Sequence, residues 1–348
     1  MVGGGNVDWL SGRIFYVLVY GSTRTSTVPG ISIAGPTPEA TLATPSLDAE
    51  VLVAGRPVSM DVVPVSPEGV PTPALISRAV LGLLGIPFLA VDSGSAYEAG
   101  VPHARLPGAR AGGRIDVEPG LGKGVSEKIF SSARLLGETL ARGLDGIVIG
   151  ESIPGGTTTA AAIVEALGYR GLGRVSSSSP KNPSSLKEGV VKRALGRARR
   201  AEGVFEVLDE VGDPVHVALA GIADGAASIG ARVLLAGGTQ MAAPLAILAR
   251  LESKAIESIA VGTTKWIVED PSSDIVGLIG DVAPGVTLTY SELSLGESRF
   301  EGLKLYEEGY AKEGVGAGGL LVTAAVRGLS QNEVLDAIES LYGGLSKA

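Results

Sequence analysis

Short, continuous apolar runs alternate along this chain with longer segments in which apolar residues recur every three or four positions. Residues 14–20 (IFYVLVY) are β-branched and aromatic, which predicts a buried strand. Residues 21–45 follow, rich in Thr, Pro and Gly and lacking a helical period. A stretch of that kind reads as a functional loop, and Ile31, Ile33 and Leu42 predict that it packs on the body. Strands and helices then recur in pairs. An apolar run at 86–91 ends at Asp92-Ser93-Gly94-Ser95. Ile129, Ala133, Leu136 and Leu140 share one face of a helix over 126–142. A strand at 146–149 precedes a glycine loop and a helix over 157–167. Ser185 and Glu188 have the spacing of a capping box opening a basic helix to about 201. The run 215–220 fits a strand or a buried helix. Residues 233–236 predict a strand, followed by Gly237-Gly238-Thr239-Gln240 and a helix to about 251. Residues 258–261 and 275–279 predict further short strands. Ser330 and Glu333 form a second capping box before a helix to about 342.

This alternation, with apolar strand runs, predicts an α/β fold. Its mostly parallel, Rossmann-like sheet is covered by helices on both faces. Ligands in such folds bind at the carboxyl ends of the strands, so the glycine loops there are the candidate sites.

Composition narrows the chemistry. Among 348 residues, Lys+Arg is 29 and Asp+Glu 37, a net charge of −8. An acidic chain argues against general nucleic-acid binding. Hydrophobic residues are 45% and charged residues 19%, enough to bury a core. Glycine, at 51 residues, is about twice its usual share. The chain has no cysteine, which excludes disulfides and thiolate chemistry. The only histidines, His103 and His216, are far apart, so a histidine-built metal site or a Ser-His-Asp triad is not expected. We expect no metal and no cofactor. Arg exceeds Lys, and Asn and Gln are scarce, a pattern of thermophile proteins. No apolar stretch reaches a membrane span, and the expectation is a soluble, cytoplasmic protein.

Three loops carry candidate chemistry. Gly150-Glu151-Ser152-Ile153-Pro154-Gly155-Gly156-Thr157-Thr158-Thr159 follows a strand and opens a helix. Free N–H groups and the helix dipole favour an anion there. It is not a Walker A loop, because Gly156 stands in the lysine position. Nor does it pair two acids as diphosphate-ribose loops do, since Ser152 follows Glu151. A tight turn with a Thr cap is the plainer reading; the acid at the strand tip favours phosphate. The second loop is Lys312-Glu313-Gly314-Val315-Gly316-Ala317-Gly318-Gly319. It matches G-x-G-x-x-G literally, but no strand precedes it, so the dinucleotide reading fails. Glu313 reads equally as a desolvated general base or as a carboxylate favoured by the helix dipole. The third is the serine run 176–179 with Pro180, Lys181, Asn182 and Lys187, either an anion loop around Ser177 or a solvated linker. The basic run from Lys192 to Arg200 reads as a solvated helix face, His216 as a satisfied structural histidine and His103 as exposed. The hydroxyl-rich segment 22–44 suits a neutral heteroaromatic ligand, a lid or a plain packed loop.

Together these motifs resemble the nicotinate-nucleotide–dimethylbenzimidazole phosphoribosyltransferase family of cobalamin lower-ligand synthesis, in its divergent archaeal branch. The likeness runs in order over about the C-terminal two-thirds. The family's Gly-Glu-Met-Gly-Ile-Gly-Asn-Thr-Thr loop and Ala-rich helix are echoed from Gly150 to Ala162, keeping Glu151, Thr157 and Thr158 while Ser152, Pro154 and Gly156 depart. Its lysine before Val-Ile and Ala-Leu matches Lys187 before Val190-Val191 and Ala194-Leu195. Glu206-Val207-Leu208, Val211-Gly212 and the segment from Val233 to Ala243 also match. The family's Gly-Glu-Gly-Thr-Gly-Ala, which carries its catalytic glutamate, appears as Lys312 to Ala317, so Glu313 matches that base. The family's His/Arg-rich segment before this loop is absent.

The resemblance implies transfer of a phosphoribosyl group from nicotinate mononucleotide to a benzimidazole-type base, with release of nicotinate. Glu313 would be the catalytic base. Glu151, Gly155, Gly156, Thr157, Thr158, Ser177, Lys187, Gly238, Gly314 and Gly316 would hold substrate. It also implies a smaller helical domain built from the chain ends and a homodimer. The expected division is an N-terminal segment and ligand loop over 1–45, an α/β core over 46–300, and a helical part over 301–348 that closes the site. Two alternatives stand beside this: phosphoribosyl transfer to another base, and a non-catalytic nucleotide sensor or partner subunit.

Overall fold

In the computed structural model, which describes residues 2–3 and 7–345, eight strands form one sheet. They are β1 (Val2–Gly3), β2 (Ile14–Gly21), β3 (Phe88–Gly94), β4 (Ala104–Arg105), β5 (Gly146–Ser152), β6 (Arg232–Ala236), β7 (Ile259–Thr264) and β8 (Thr287–Ser291). Their order across the sheet is β1-β8-β7-β6-β5-β2-β3-β4. Only β1 runs antiparallel; β2 through β8 pair in parallel. The chain lays down β2, β3 and β4 in one direction, then returns to place β5 on the other side of β2. That reversal is a topological switch point, where the connections on either side diverge and leave a crevice above the strand tips.

The helices are α1 (Pro38–Ala54), α2 (Ala74–Leu84), α3 (Val125–Leu140), α4 (Gly156–Ala166), α5 (Ser184–Ala198), α6 (Val204–Val211), α7 (Pro214–Ser228), α8 (Ala242–Arg250), α9 (Lys265–Val268), α10 (Ile275–Val282), α11 (Glu301–Lys304), α12 (Ala317–Val326) and α13 (Gln331–Leu345). One core lies between the sheet and α3 to α8 with α10. The other lies between the sheet and α1, α2, α12 and α13, which pack on one another and come from both ends of the chain. Side chains alternate across a strand: Val17 and Val19 enter the first core, while Tyr16, Leu18 and Tyr20 enter the second.

Most expected elements form, and the departures have local causes. Residues 21–45 are not all loop. Thr37 accepts the Ala40 N–H at 3.2 Å and Pro38 occupies the first helical turn, so α1 starts there despite Pro45 in its interior. Residues 275–279 belong to a helix and not a strand; Asp274 caps it by accepting the Gly277 N–H at 2.9 Å. The run 215–220 lies in α7, opened by Asp213 and Pro214. The capping box expected at Ser185 is absent: α5 begins at Ser184 after Pro183, with no side-chain cap. The one at Ser330 is reciprocal: the Ser330 N–H donates to Glu333 at 2.8 Å and the Glu333 N–H to Ser330 Oγ at 3.3 Å. Arg197 is not simply solvated, since it donates to the carbonyls of Ile115 and Glu118. His103 is half-buried, its ring edge-on to Tyr20. Among the described residues no helix is long and apolar enough to cross a membrane.

Candidate active site

A largely apolar cavity of ≈ 380 Å³ opens above the tip of β5, beside the switch point. Alternation along β5 sends its last two side chains to opposite faces of the sheet. Glu151 turns toward the first core, where its Oε1 accepts from Gln240 Nε2 at 2.8 Å and its Oε2 from the Ile153 N–H at 3.1 Å. Ser152 turns toward the second and donates to Asp48 of α1 at 2.6 Å. Thr72 donates to the other Asp48 oxygen at 2.6 Å. Glu151, Ser152, Asp48 and Gln240 all line the cavity.

The Glu313 loop is strapped over this tip. The Val315 N–H donates to the Glu151 carbonyl at 2.7 Å. The Val315 carbonyl accepts from the buried Tyr16 hydroxyl and from Ser77 Oγ, the latter at 2.8 Å. Val315 is held at φ 55, a conformation costly for a β-branched residue. Such strain persists where the surroundings over-determine it, and it clusters at functional sites. Glu313 is half-buried against the cavity and accepts the Gly318 N–H at 2.9 Å and the Gly314 N–H at 3.0 Å. It is therefore a carboxylate at the start of α12 that also lines the cavity.

Three carboxylates thus meet in one pocket. Burial pushes Glu313 up to about 8, against the pull of its two backbone N–H partners. Burial also pushes Glu151 up to about 8; His216 opposes the rise, while Glu313 and Asp48 add to it. Asp48 rises to about 6 through burial, restrained by Ser152 and Thr72. A proton acceptor in that range is well matched to near-neutral chemistry, and a cation entering the pocket would be favoured by the carboxylates around it.

The remaining predicted residues divide. Gly155, Gly156, Thr157, Ser177, Gly238 and Gly314 line the cavity. Gly156 has a packing reason: a Cβ there would sit 2.1 Å from Gln240 Oε1, so glycine admits the side chain that holds Glu151. Gly316, at φ 72, does not line the cavity; it lets the loop touch Gly150 and Tyr16. Thr158 is off the cavity too, its hydroxyl buried without a partner. Thr159 donates to Asp213 at 2.5 Å. Lys187 is buried beneath the serine loop, donating to the Ser176 carbonyl at 2.5 Å, with burial and then Lys312 lowering it to about 7. Lys312 is buried as an ion pair with Asp270 at 3.1 Å. Asn182 donates to the carbonyls of Val175 and Ser272, anchoring the end of that loop.

Sequence reasoning missed Asp48 and Tyr16. Asp48 lies in α1, and the Thr37-Pro38 start signal would have revealed an acid on the buried face of a helix. The role of Tyr16 depends on a chain segment almost three hundred residues away, and no local pattern signals it.

Comparison with known proteins places this geometry. A family model described as phosphoribosyltransferase (DBI_PRT) matches residues 83–265, more than half of the chain. The chain is 60% identical over 341 residues to the UPF0284 protein of the archaeon Aeropyrum pernix, covering 97% of this chain and 95% of that one. It is 47% identical to the UPF0284 protein of Pyrobaculum calidifontis, over 94% and 95% of the two chains. Among solved structures it resembles CobT from Thermus thermophilus, with a TM-score of 0.65 at 18% identity, over 95% of this chain and 90% of that one. It also resembles the nicotinate-nucleotide-dimethylbenzimidazole phosphoribosyltransferase of that organism, with a TM-score of 0.63 at 19% identity, over 93% and 83%. These two likenesses establish a shared fold. From the extent of the family match and of the relatives, the chain belongs to the phosphoribosyltransferase family and is a pentosyl-transferring enzyme.

Proposed function

We propose that this enzyme transfers the phosphoribosyl group of nicotinate mononucleotide to a benzimidazole-type base, yielding an α-ribazole 5'-phosphate and nicotinate for cobamide lower-ligand assembly. The observation that carries the reading is the pairing of Glu313 and Glu151 in one mostly apolar cavity at the switch point. An apolar wall suits a planar neutral base. Ile31, Ile33, Met60, Val62 and Val63 supply it. Thr157 with Gly155 and Gly156 would receive the phosphate at the start of α4, where the helix dipole favours an anion.

The chemistry balances on these residues. One ring nitrogen of the base attacks the anomeric carbon while Glu313 takes the proton from the other ring nitrogen. The bond from that carbon to the pyridinium nitrogen breaks, and its electron pair neutralises the ring, releasing nicotinate. Attack from the opposite face inverts β to α. Positive charge spreads over the ribosyl group as the bond breaks, and Glu151 and Asp48, which line the same cavity, would stabilise it in their ionised forms. Holding the two partners in one cavity supplies much of the remaining acceleration. In this reading the segments 1–45 and 301–348 close the site over a core at 46–300, and the enzyme works as a homodimer.

The test is mass spectrometry of purified protein incubated with nicotinate mononucleotide and a panel of benzimidazoles and purines. Nicotinate release with a base–ribose-phosphate adduct supports the reading and ranks the acceptors. An adduct with purines alone moves the acceptor class. Binding of nucleotide without product for any base refutes the transferase proposed here.

A further inference from the structure

One wall of the cavity comes from α1 and from two non-helical segments, 31–36 and 60–66. Ile31, Ile33, Leu47, Met60, Val62 and Val63 make it apolar. Among the described residues from 31 to 73 that line the cavity, Asp48 alone is charged, and it is buried. Its two carboxylate oxygens offer about four acceptor sites. Thr72 Oγ1 donates to Oδ1 and Ser152 Oγ to Oδ2, each at 2.6 Å. No cationic side chain lines this wall to take the remaining lone pairs. Burial raises Asp48 to about 6, and Ser152 and Thr72 restrain the rise. At neutral pH it is therefore mostly an ionised, acceptor-only group.

A buried carboxylate with spare lone pairs is destabilising unless further donors reach it. A ring carrying only alkyl groups on this wall would strip water from Asp48 and leave those lone pairs bare. A ring carrying an O–H or N–H group would complete them. We infer that Asp48 selects the acceptor: the base bears a hydrogen-bond donor, a hydroxyl or an amino group, on its six-membered ring, and Asp48 accepts from it. Glu313 then takes the proton of the five-membered ring, so the two carboxylates read different ends of one bicyclic base. This rests on the phosphoribosyl-transfer reading given above. The sheet assigns the donor to the base and not to the nucleotide's phosphate end. Glu151 and Ser152 leave β5 toward opposite faces, and Asp48 meets Ser152 on the α1 side, where the apolar wall stands. The start of α4, proposed for the phosphate, belongs to the other face. A site built to bond a substrate O–H or N–H discriminates strongly against the analogue that lacks it, because its own polar group is left unpaired.

The probes are 5-hydroxy-, 5-amino-, 5-methoxy- and 5,6-dimethylbenzimidazole. The hydroxy and methoxy compounds both carry oxygen, but only the first donates. With nicotinate mononucleotide, kcat/KM for the hydroxy or the amino compound should exceed that for the methoxy compound by about tenfold or more, the effect of a hydrogen bond to a charged group. The faster of the two names the donor. Asp48→Asn, whose amide turns a donor toward the ring, should bring the ratio to within about threefold. Reading a ratio sets aside any uniform loss of turnover that follows from the lost charge. If no base gives product, calorimetric binding of the four bases replaces turnover. The expected ranking in binding then upholds the selection by Asp48 while refuting the transferase. A methoxy or dimethyl compound equal to or better than both donors in wild type overturns the inference, as does failure of both donors to bind or react. A ranking that survives in Asp48→Asn also overturns it, whether or not nucleotide binding weakens. Should Asp48→Asn not fold, the wild-type ranking decides alone.

Discussion

Glu313→Gln removes the carboxylate assigned to take the acceptor's proton and keeps its size. A positioned general base contributes about 10²–10⁴-fold, or roughly 3–5 kcal/mol of barrier, so kcat should fall by at least a hundredfold. The pocket also sets a pH signature. With Glu313 pushed up to about 8, about a tenth of it is ionised at pH 7 and about nine-tenths at pH 9, so wild-type kcat/KM should climb roughly tenfold across that interval. Stability should move the other way. The folded-state value lies above the ordinary 4.5, so the protonated carboxyl favours folding, and that advantage is lost as pH rises through about 8. Glu313→Gln carries no such cost. It should melt above wild type at pH 8.5 and close to it at pH 5, by differential scanning calorimetry. The opposed changes separate lost chemistry from lost folding. The assay is the nicotinate-release reaction followed over pH 6–9. Turnover within about threefold of wild type, or a flat profile, would refute the assignment of Glu313.

The cradle makes a paired prediction. Thr157→Val should weaken nucleotide binding several-fold by calorimetry, whereas Thr158→Val should leave it intact and raise stability by about 1 kcal/mol in urea, since it removes a buried hydroxyl without a partner. Gly156→Ala should fold with local adjustment, since the added Cβ meets Gln240 Oε1, the end of a flexible side chain, and Ile153 Cγ2 at 2.6 Å, yet lose about tenfold in kcat/KM as Gln240 is pushed off Glu151. Asp270→Asn strands Lys312 in a buried site and should cost about 3–5 kcal/mol in chemical denaturation. Wild-type stability from that pair should be present at neutral pH and fade as pH falls through the range where Asp270 protonates, which Ser272 and Lys312 hold below its ordinary value against burial.

Much of the framework was legible before any coordinates, because it rests on local rules. Apolar strand runs at 14–20, 146–149 and 233–236, each followed by a glycine turn or a helix, specify a covered parallel sheet. Glu151 at a strand tip and Glu313 at the head of a glycine-rich loop were readable as candidates for the same reason. Errors fell where two local rules compete. The Thr/Pro-rich composition of 21–45 hid the start of α1, and the eight-residue α10 (IVGLIGDV) satisfies a strand pattern as well as a helical one. Thr158 and Lys187 were plausible donors by type, and only their burial direction removes them from the cavity.

The order of elements, their parallel pairing and the acidic loops were written in residue spacing, since hydrophobic periodicity and turn chemistry act over a few positions. The meeting of Asp48, Glu151 and Glu313 was not, because it depends on side-chain direction and long-range packing. One residue step along β5 separates Glu151, turned to Gln240, from Ser152, turned to Asp48. The Val315 bridge to Tyr16 and Glu151 joins segments about three hundred and about one hundred and sixty residues apart. Charge regulation in the pocket follows from that convergence: a carboxylate's pKa is set by what surrounds it in space.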